Sequence, residues 1–347
     1  MTGTAMARIT YLDYYVPPTE RSVAEILAEA SRDRFGWDAP TLRRTVDQVS
    51  SSSGCRSVFC AEDADVIAVL EGLLDRFFAR TAIRPAQVVG LFFGNVHTFQ
   101  VGGVDVPYHL QRRYGLTRAP VISVNQQCAG ALYSLALSGG LFSSAEADEY
   151  VLVLTTCFIG TAADRFLGDC LAGDAAGILV IGNRAPGCRI GPYLLRALPG
   201  SGAEGPGPGS GGVELVRTIG QMINAIVARH GTTTPAVARY VLQNMNVHVF
   251  RRLLARQLHV DVSAVFADND ARGGHLGDVD VIRNLKDLLD QDGLAPGSDV
   301  VLFAVGAFGT TDPDRALAGV LVTCDGPVGP ARGRDGIGYR DERRWTG

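Results

Sequence analysis

Ser123 to Phe142 reads SVNQQCAGALYSLALSGGLF: a polar run, one cysteine, then a stretch that is apolar almost all round. Val121 and Ile122 before it read as the end of a strand. From Ala129 to Phe142 the chain carries Leu132, Leu135, Leu137 and Leu141 among small residues, with no charge until Glu146. A helix that is apolar on every side lies inside a large domain. Cys128 then stands at its N-terminus, where unpaired N–H groups and aligned peptide dipoles favour an anion. Such a position activates a thiol as a nucleophile. On this stretch alone the commoner reading is a small buried cysteine that packs as a hydrophobe, so the rest of the chain has to decide.

Outward from this stretch, strands and helices alternate. Val66 to Ala79 has apolar residues at helical spacing, Val88 to Phe93 is a short apolar strand, and Val104 to Tyr114 is a helix interrupted early by Pro107. Strands follow at Pro120 to Val124, Tyr150 to Thr156 and Gly177 to Gly182. Continuous apolar strands separated by helices predict a sheet covered on both faces. Leu198 to Gly212, rich in Gly, Pro and Ser, reads as a loop or linker. The alternation then resumes: helices over Val213 to Gly231, His248 to Leu258 and Asp278 to Leu294, and strands over Arg239 to Gln243, Asp299 to Gly306 and Ala316 to Thr323. The similar order of the two parts suggests an internal pseudo-duplication.

Composition narrows the function classes. With 347 residues, 46% hydrophobic and 20% charged, the chain can bury a large core, and it reads as a soluble globular protein. A net charge of −4 without a block of like charges gives no electrostatic reason to expect nucleic acid or anionic lipid as a partner. The seven cysteines (Cys55, Cys60, Cys128, Cys157, Cys170, Cys188, Cys324) are odd in number and lack zinc-ligand spacing, which fits a reduced cytoplasm and no metal site. No uncharged apolar run approaches the ~20 residues of a membrane span, and nothing at the N-terminus reads as a targeting segment.

Several motifs together resemble one family. NQQCAGALYSLALSGGLF followed by EYVLVLTTC is similar to the nucleophile segment of the thiolase-fold condensing enzymes, in the ketoacyl-acyl carrier protein synthase III branch. LGDCLAGDAAGILVIG, Leu167 to Gly182, resembles that branch's glycine-rich segment, and VLFAVGAFGT, Val301 to Thr310, its glycine-containing C-terminal loop. The resemblance runs from about Ser52 to about Thr323. It implies a five-layered α/β/α/β/α thiolase fold in two halves, residues 1–190 carrying the nucleophile and 191–347 the remaining site groups. It also implies a homodimer and a tunnel to a cysteine that takes an acyl group from coenzyme A or an acyl carrier protein, with no resident cofactor.

Departures from the family pattern point to the reaction. Decarboxylating members pair a His in a PHQAN-like segment with an Asn in a GN segment. Here the first segment reads LQNMN, Leu242 to Asn246, with Gln243 at the His position, and the second reads RGGHLGDVD, Arg272 to Asp280, with His275 at the Asn position. What remains is Cys128, His275 and Asp280. A thiolate attacks a thioester, a histidine deprotonates an incoming hydroxyl or amine, and a carboxylate fixes the imidazole. Asp278 is the competing partner, better suited to an N-cap. This set resembles the family's acyltransferase subgroup, which passes an intact acyl group to a small alcohol or amine acceptor in polyketide-type and antibiotic biosynthesis. The alternative is a decarboxylative condensing enzyme using a malonyl thioester. Gln243 and Asn246 are expected to line the site, and Gly306 and Phe308 to border the oxyanion hole, with Phe308 interrupting the family's glycine spacing. His97 is a weaker candidate for the tunnel wall. Arg251, Arg252 and Arg256 are candidates for an acidic carrier's docking face, although arginines on an amphipathic helix are usually just its solvated side.

Overall fold

A computed structural model describes residues 7–61, 63–95, 100–200, 210–245, 247–266, 268–291, 294–308 and 314–329. The first part of the chain forms β1 (Arg8–Tyr15), β2 (Glu20–Ser22), α1 (Val23–Ala30), α2 (Ala39–Ser53), β3 (Ser57–Phe59), α3 (Val66–Arg80), β4 (Val88–Asn95), β5 (Gln100–Val101), β6 (Val104–Asp105), α4 (Val106–Arg113), β7 (Val121–Val124), α5 (Gly130–Leu137), β8 (Tyr150–Cys157), α6 (Ala162–Arg165) and β9 (Ala175–Gly182). The second forms β10 (Cys188–Leu198), α7 (Ser210–His230), β11 (Arg239–Val241), α8 (Val247–Leu258), β12 (Val265–Phe266), β13 (Arg272–Gly273), α9 (Val279–Asp290), β14 (Ser298–Phe308) and β15 (Asp314–Cys324).

Ten strands join in the order β12-β11-β14-β15-β10-β1-β9-β8-β4-β7. Counted outward from the centre, each set of five places its first strand innermost, then its fifth, fourth, second and third. The sets meet where β1 pairs with β10, through only two register pairs, Arg8 with Arg189 and Ile9 with Cys188. All eight positions of β8 and all eight of β9 are buried, which explains their unbroken apolar sequence.

Packing gives five layers. Leu132 and Leu135 of α5 and Ile282 and Leu285 of α9 lie in one core with Val151 and Val153 from the first set of strands and Leu302 and Val320 from the second. These two helices form the middle layer. Leu70, Leu73 and Phe77 of α3 and Leu110 of α4 cover the outer face of the first set, and Ile219 and Ile223 of α7 with Leu254 of α8 cover that of the second. Burying each such side chain contributes about 1.5–3 kcal/mol. The continuous apolar surface of α5 follows from its place between the two sets of strands.

Local readings change in four places. The helix expected over Ala129 to Phe142 is shorter: a 3-10 turn at Gln127–Ala129 leads into α5, and a second at Ser138–Leu141, which contains Gly139 and Gly140, closes it. Pro107 sits in the first turn of α4, where proline is well accommodated, and Val104–Asp105 is a strand paired with Gln100–Val101. The strand expected to end at Gly306 continues to Phe308, which therefore belongs to β14 rather than to a loop. Asp278 has helical backbone angles and makes no capping hydrogen bond, so the expected N-cap role is corrected. Residues 201–209 of the expected linker, and His97, lie outside the described residues. Among the described residues no helix is long and apolar enough to cross a membrane.

Candidate active site

Cys128 lies on an elbow between β7 and α5. The preceding residue, Gln127, has φ +47°, a left-handed conformation that costs a non-glycine residue about 1–2 kcal/mol. Such a turn persists only where its surroundings enforce it. Two contacts do so. The Gln243 side chain donates from Nε2 to the Cys128 carbonyl and accepts the Val305 N–H at 2.7 Å through Oε1. On the same strand, a Cβ at Gly306 would lie 1.9 Å from the Gln126 carbonyl oxygen, so only glycine lets β14 approach the elbow this closely.

His275 reaches the same point from the other half. Its Nε2 lies 3.3 Å from Cys128 Sγ and its Nδ1 2.6 Å from Asp280 Oδ2. The Asp280 carboxylate also accepts the Leu276 N–H at 3.1 Å and the Asn244 N–H at 2.9 Å. With three donors converging on it, the carboxyl stays an acceptor, so Nδ1 carries its hydrogen and Nε2 faces the sulfur. His275 is 2% exposed and Asp280 fully buried. Burial by itself would lower the imidazole's pKa; the Cys128 thiolate and the Asp280 carboxylate outweigh it and push the value up to about 10. The protonated ring is thereby favoured beside the sulfur.

The loop holding His275 is fixed through backbone. The His275 N–H donates to the Leu171 carbonyl at 2.8 Å, and its carbonyl accepts the Gly173 N–H at 2.9 Å. Gly274, at φ +74°, permits this approach, since a Cβ there would stand 2.6 Å from the Leu171 oxygen. Residues 171–173 are held in turn by a buried Arg165–Asp174 pair with two bonds of 2.9 and 2.7 Å, whose carboxylate also accepts the Ala61 and Ile159 N–H groups.

Asp278 takes no part in that pair. Its carboxyl is buried among Gly94, Gly130 and the first turn of α5, and neither oxygen makes a hydrogen bond of ordinary geometry among the described residues. Burial pushes its pKa up to about 7, against the pull of the Ala131 and Gly130 N–H groups.

The structure thus brings together Cys128, His275, Asp280, Gln243 and Gly306. Phe308, the last residue of β14, packs against the central core. Asn246 and Gly309 lie outside the described residues. Two other cysteines, Cys157 and Cys170, are fully buried, and burial pushes both thiols well above the ordinary range, whereas Cys128 is half-buried. A cavity of about 310 Å³ borders the site at Gln243 and Val305 and is walled by Val216, Phe250, Leu253 and Phe303. The sequence suggests Asn244 only as a cap for the following helix, whereas its N–H binds the Asp280 carboxylate; Asn284, which donates to the Leu242 carbonyl and to Asn244 Oδ1, was missed. The spacing of four between Asp280 and Asn284 on one helix was the available signal.

No family model matches the sequence, and no curated protein matches it. Solved structures do. The chain is similar to ChlB3, described as an acyltransferase, at TM-score 0.74 and 18% identity over 93% of this chain and 99% of that one. It is also similar to 3-oxoacyl-[acyl-carrier-protein] synthase III of Aquifex aeolicus at TM-score 0.72 and 14% identity, over 91% of this chain and 99% of that one. The priming β-ketosynthase of the R1128 polyketide pathway aligns at TM-score 0.72 and 19% identity, over 93% and 98%. At these identities the likeness is one of fold, and the fold is that of the thiolase-like synthases.

Proposed function

We propose that this protein is a ketosynthase III-like acyltransferase that moves an intact acyl group from a thioester, through Cys128, to a small alcohol or amine. The observation that carries the reading is the line Cys128 Sγ, His275, Asp280 at 3.3 and 2.6 Å. The Cys128 thiolate attacks the thioester carbonyl carbon, and the oxyanion is received by the Cys128 N–H. The tetrahedral adduct then collapses: the carbon–sulfur bond to the donor breaks, and the departing thiolate takes the proton from His275 Nε2. Acyl-Cys128 and neutral His275 remain, the charge that held the imidazolium having gone. Nε2 then accepts the proton of the acceptor's hydroxyl or amine as that group attacks the acyl carbon. Collapse of the second adduct releases the ester or amide and restores the thiolate–imidazolium pair.

Gln243 supports transfer over decarboxylation. Its amide is committed at both ends to backbone, and an amide cannot shuttle protons. The apolar cavity beside it suits the thioester's approach. Its wall includes Val249 and Leu253, exposed on α8, the helix that also carries exposed Arg252 and Arg256. We assign this face to an acyl carrier protein or coenzyme A, in a cytoplasmic homodimer of polyketide-type biosynthesis.

The test is acyl-enzyme formation with a set of acyl-coenzyme A and acyl-carrier thioesters. Wild type gains the acyl mass on the Cys128 peptide and loses it when an acceptor is added, while Cys128→Ala gains nothing. An equal adduct on Cys128→Ala contradicts the assignment.

A further inference from the structure

Asp280, Asn284 and Asp287 recur at i, i+4 and i+7 of α9, a polar stripe on a helix whose Val281, Ile282, Leu285 and Leu288 lie in the central core. Asn284 is fully buried, and a buried amide is costly unless it is bonded. It is bonded on both sides. Nδ2 donates to the Leu242 carbonyl at 2.7 Å and to Asn244 Oδ1 at 3.0 Å, and Oδ1 accepts from Asn269 Nδ2 at 2.9 Å. The Leu242 carbonyl can only accept, which fixes the orientation of the amide. Outward, Asn269 also donates to Asp287 Oδ2 at 2.8 Å, and the other Asp287 oxygen accepts the Tyr14 hydroxyl at 2.9 Å.

The residues that Asn284 holds matter for the site. Leu242 and Asn244 flank Gln243, which supports the Cys128 carbonyl, and the Asn244 N–H binds Asp280. Residues 242–244 therefore touch Cys128 on one side of the site and, on the other, Asp280, the carboxylate that holds His275. We infer that Asn284 is a positioning residue: it fixes residues 242–244 against α9 and thereby sets the placement of Cys128 relative to His275 and Asp280. This deepens the acyl-transfer reading and rests on it.

Asn284→Leu removes the amide while keeping the branched shape of the side chain, and Asn269→Ala removes only its outer partner. Each is compared with wild type for folded fraction, for kcat and KM in acyl transfer, and for the pH profile of Cys128 alkylation by iodoacetamide. Asn284→Leu is expected to lower kcat by about 10²-fold per folded molecule with the donor's KM little changed, as for a small misplacement of reacting groups. The alkylation profile shifts as well. Asn269→Ala moves both readouts the same way by a smaller factor, and it decides the matter if Asn284→Leu does not fold. A variant that loses thermal stability but keeps the wild-type kcat and alkylation profile overturns the inference, because Asn284 then serves the fold alone. If wild type takes up no acyl group, acyl transfer fails as a function, while the alkylation profile still tests the positioning of Cys128.

Discussion

The sequence resemblance matches Gln243 and His275 to the His and Asn of decarboxylating enzymes, and the structure treats the two residues in opposite ways. The Gln243 side chain is saturated by backbone, a carbonyl on one end and an N–H on the other. The His275 ring is anchored by one nitrogen and turns the other to a thiol. Both are buried and both approach Cys128, so proximity does not separate them. What separates them is the unspent proton-exchanging atom: a group bonded to backbone at both ends shapes a site, and one with a nitrogen facing the nucleophile can do chemistry there.

Removing each group in turn should break the comparison if it is wrong. His275→Ala is expected to slow transfer by about 10²–10⁴-fold, the usual worth of a positioned acid–base group, with little effect on donor binding. Steady-state kinetics checks this, and unchanged turnover removes the assigned role. Asp280→Asn should cost less, roughly 10²-fold, because the ring keeps its place near the sulfur while losing the carboxylate that orients it and stabilises the imidazolium. The same kinetics on Asp278→Asn should show a small effect; a larger loss there than in Asp280→Asn would reassign the partner. Gln243→Ala should cost about 10-fold through a loosened elbow, and Gln243→His should release no carbon dioxide from a malonyl donor.

The smallest effect is electrostatic, and its sign can be worked out. His275 is held up to about 10 from an ordinary 6.5, burial opposing and the two anions prevailing. Its share of folding stability is therefore complete below pH 6.5 and is lost as pH rises through about 10. Cys128→Ala removes one of the two anions, so in an NMR titration the His275 ring should lose its proton at lower pH than in wild type. An unmoved titration would mean that thiolate and imidazolium are not paired.

Much of this was legible in the chain. Unbroken apolar strands gave the covered sheet, and the family resemblance with its departures pointed to Cys128, His275 and Asp280, whose side chains meet in the structure. Asp278 was misread as an N-cap, because its place beneath α5 depends on contacts between α9 and a helix some 150 residues earlier. The strand reads as ending at Gly306, although β14 continues to Phe308 by pairing with β15 as far as Asp314. The Gln127 elbow and the bonds between His275 and residues 171–173 were equally hidden, since local periodicity carries no record of a contact made across about a hundred residues. Asn284 was visible as a helix-spaced polar residue, but its partners were not.

The most direct test is intact-protein mass spectrometry after incubation with a malonyl thioester and with non-malonyl acyl thioesters, with released carbon dioxide measured in parallel. Adducts of full acyl mass on Cys128 are expected, discharged by an alcohol or amine, with no carbon dioxide from the malonyl donor. Carbon dioxide release with an extended ketoacyl product would contradict intact acyl transfer and return His275 to the service of a condensing enzyme.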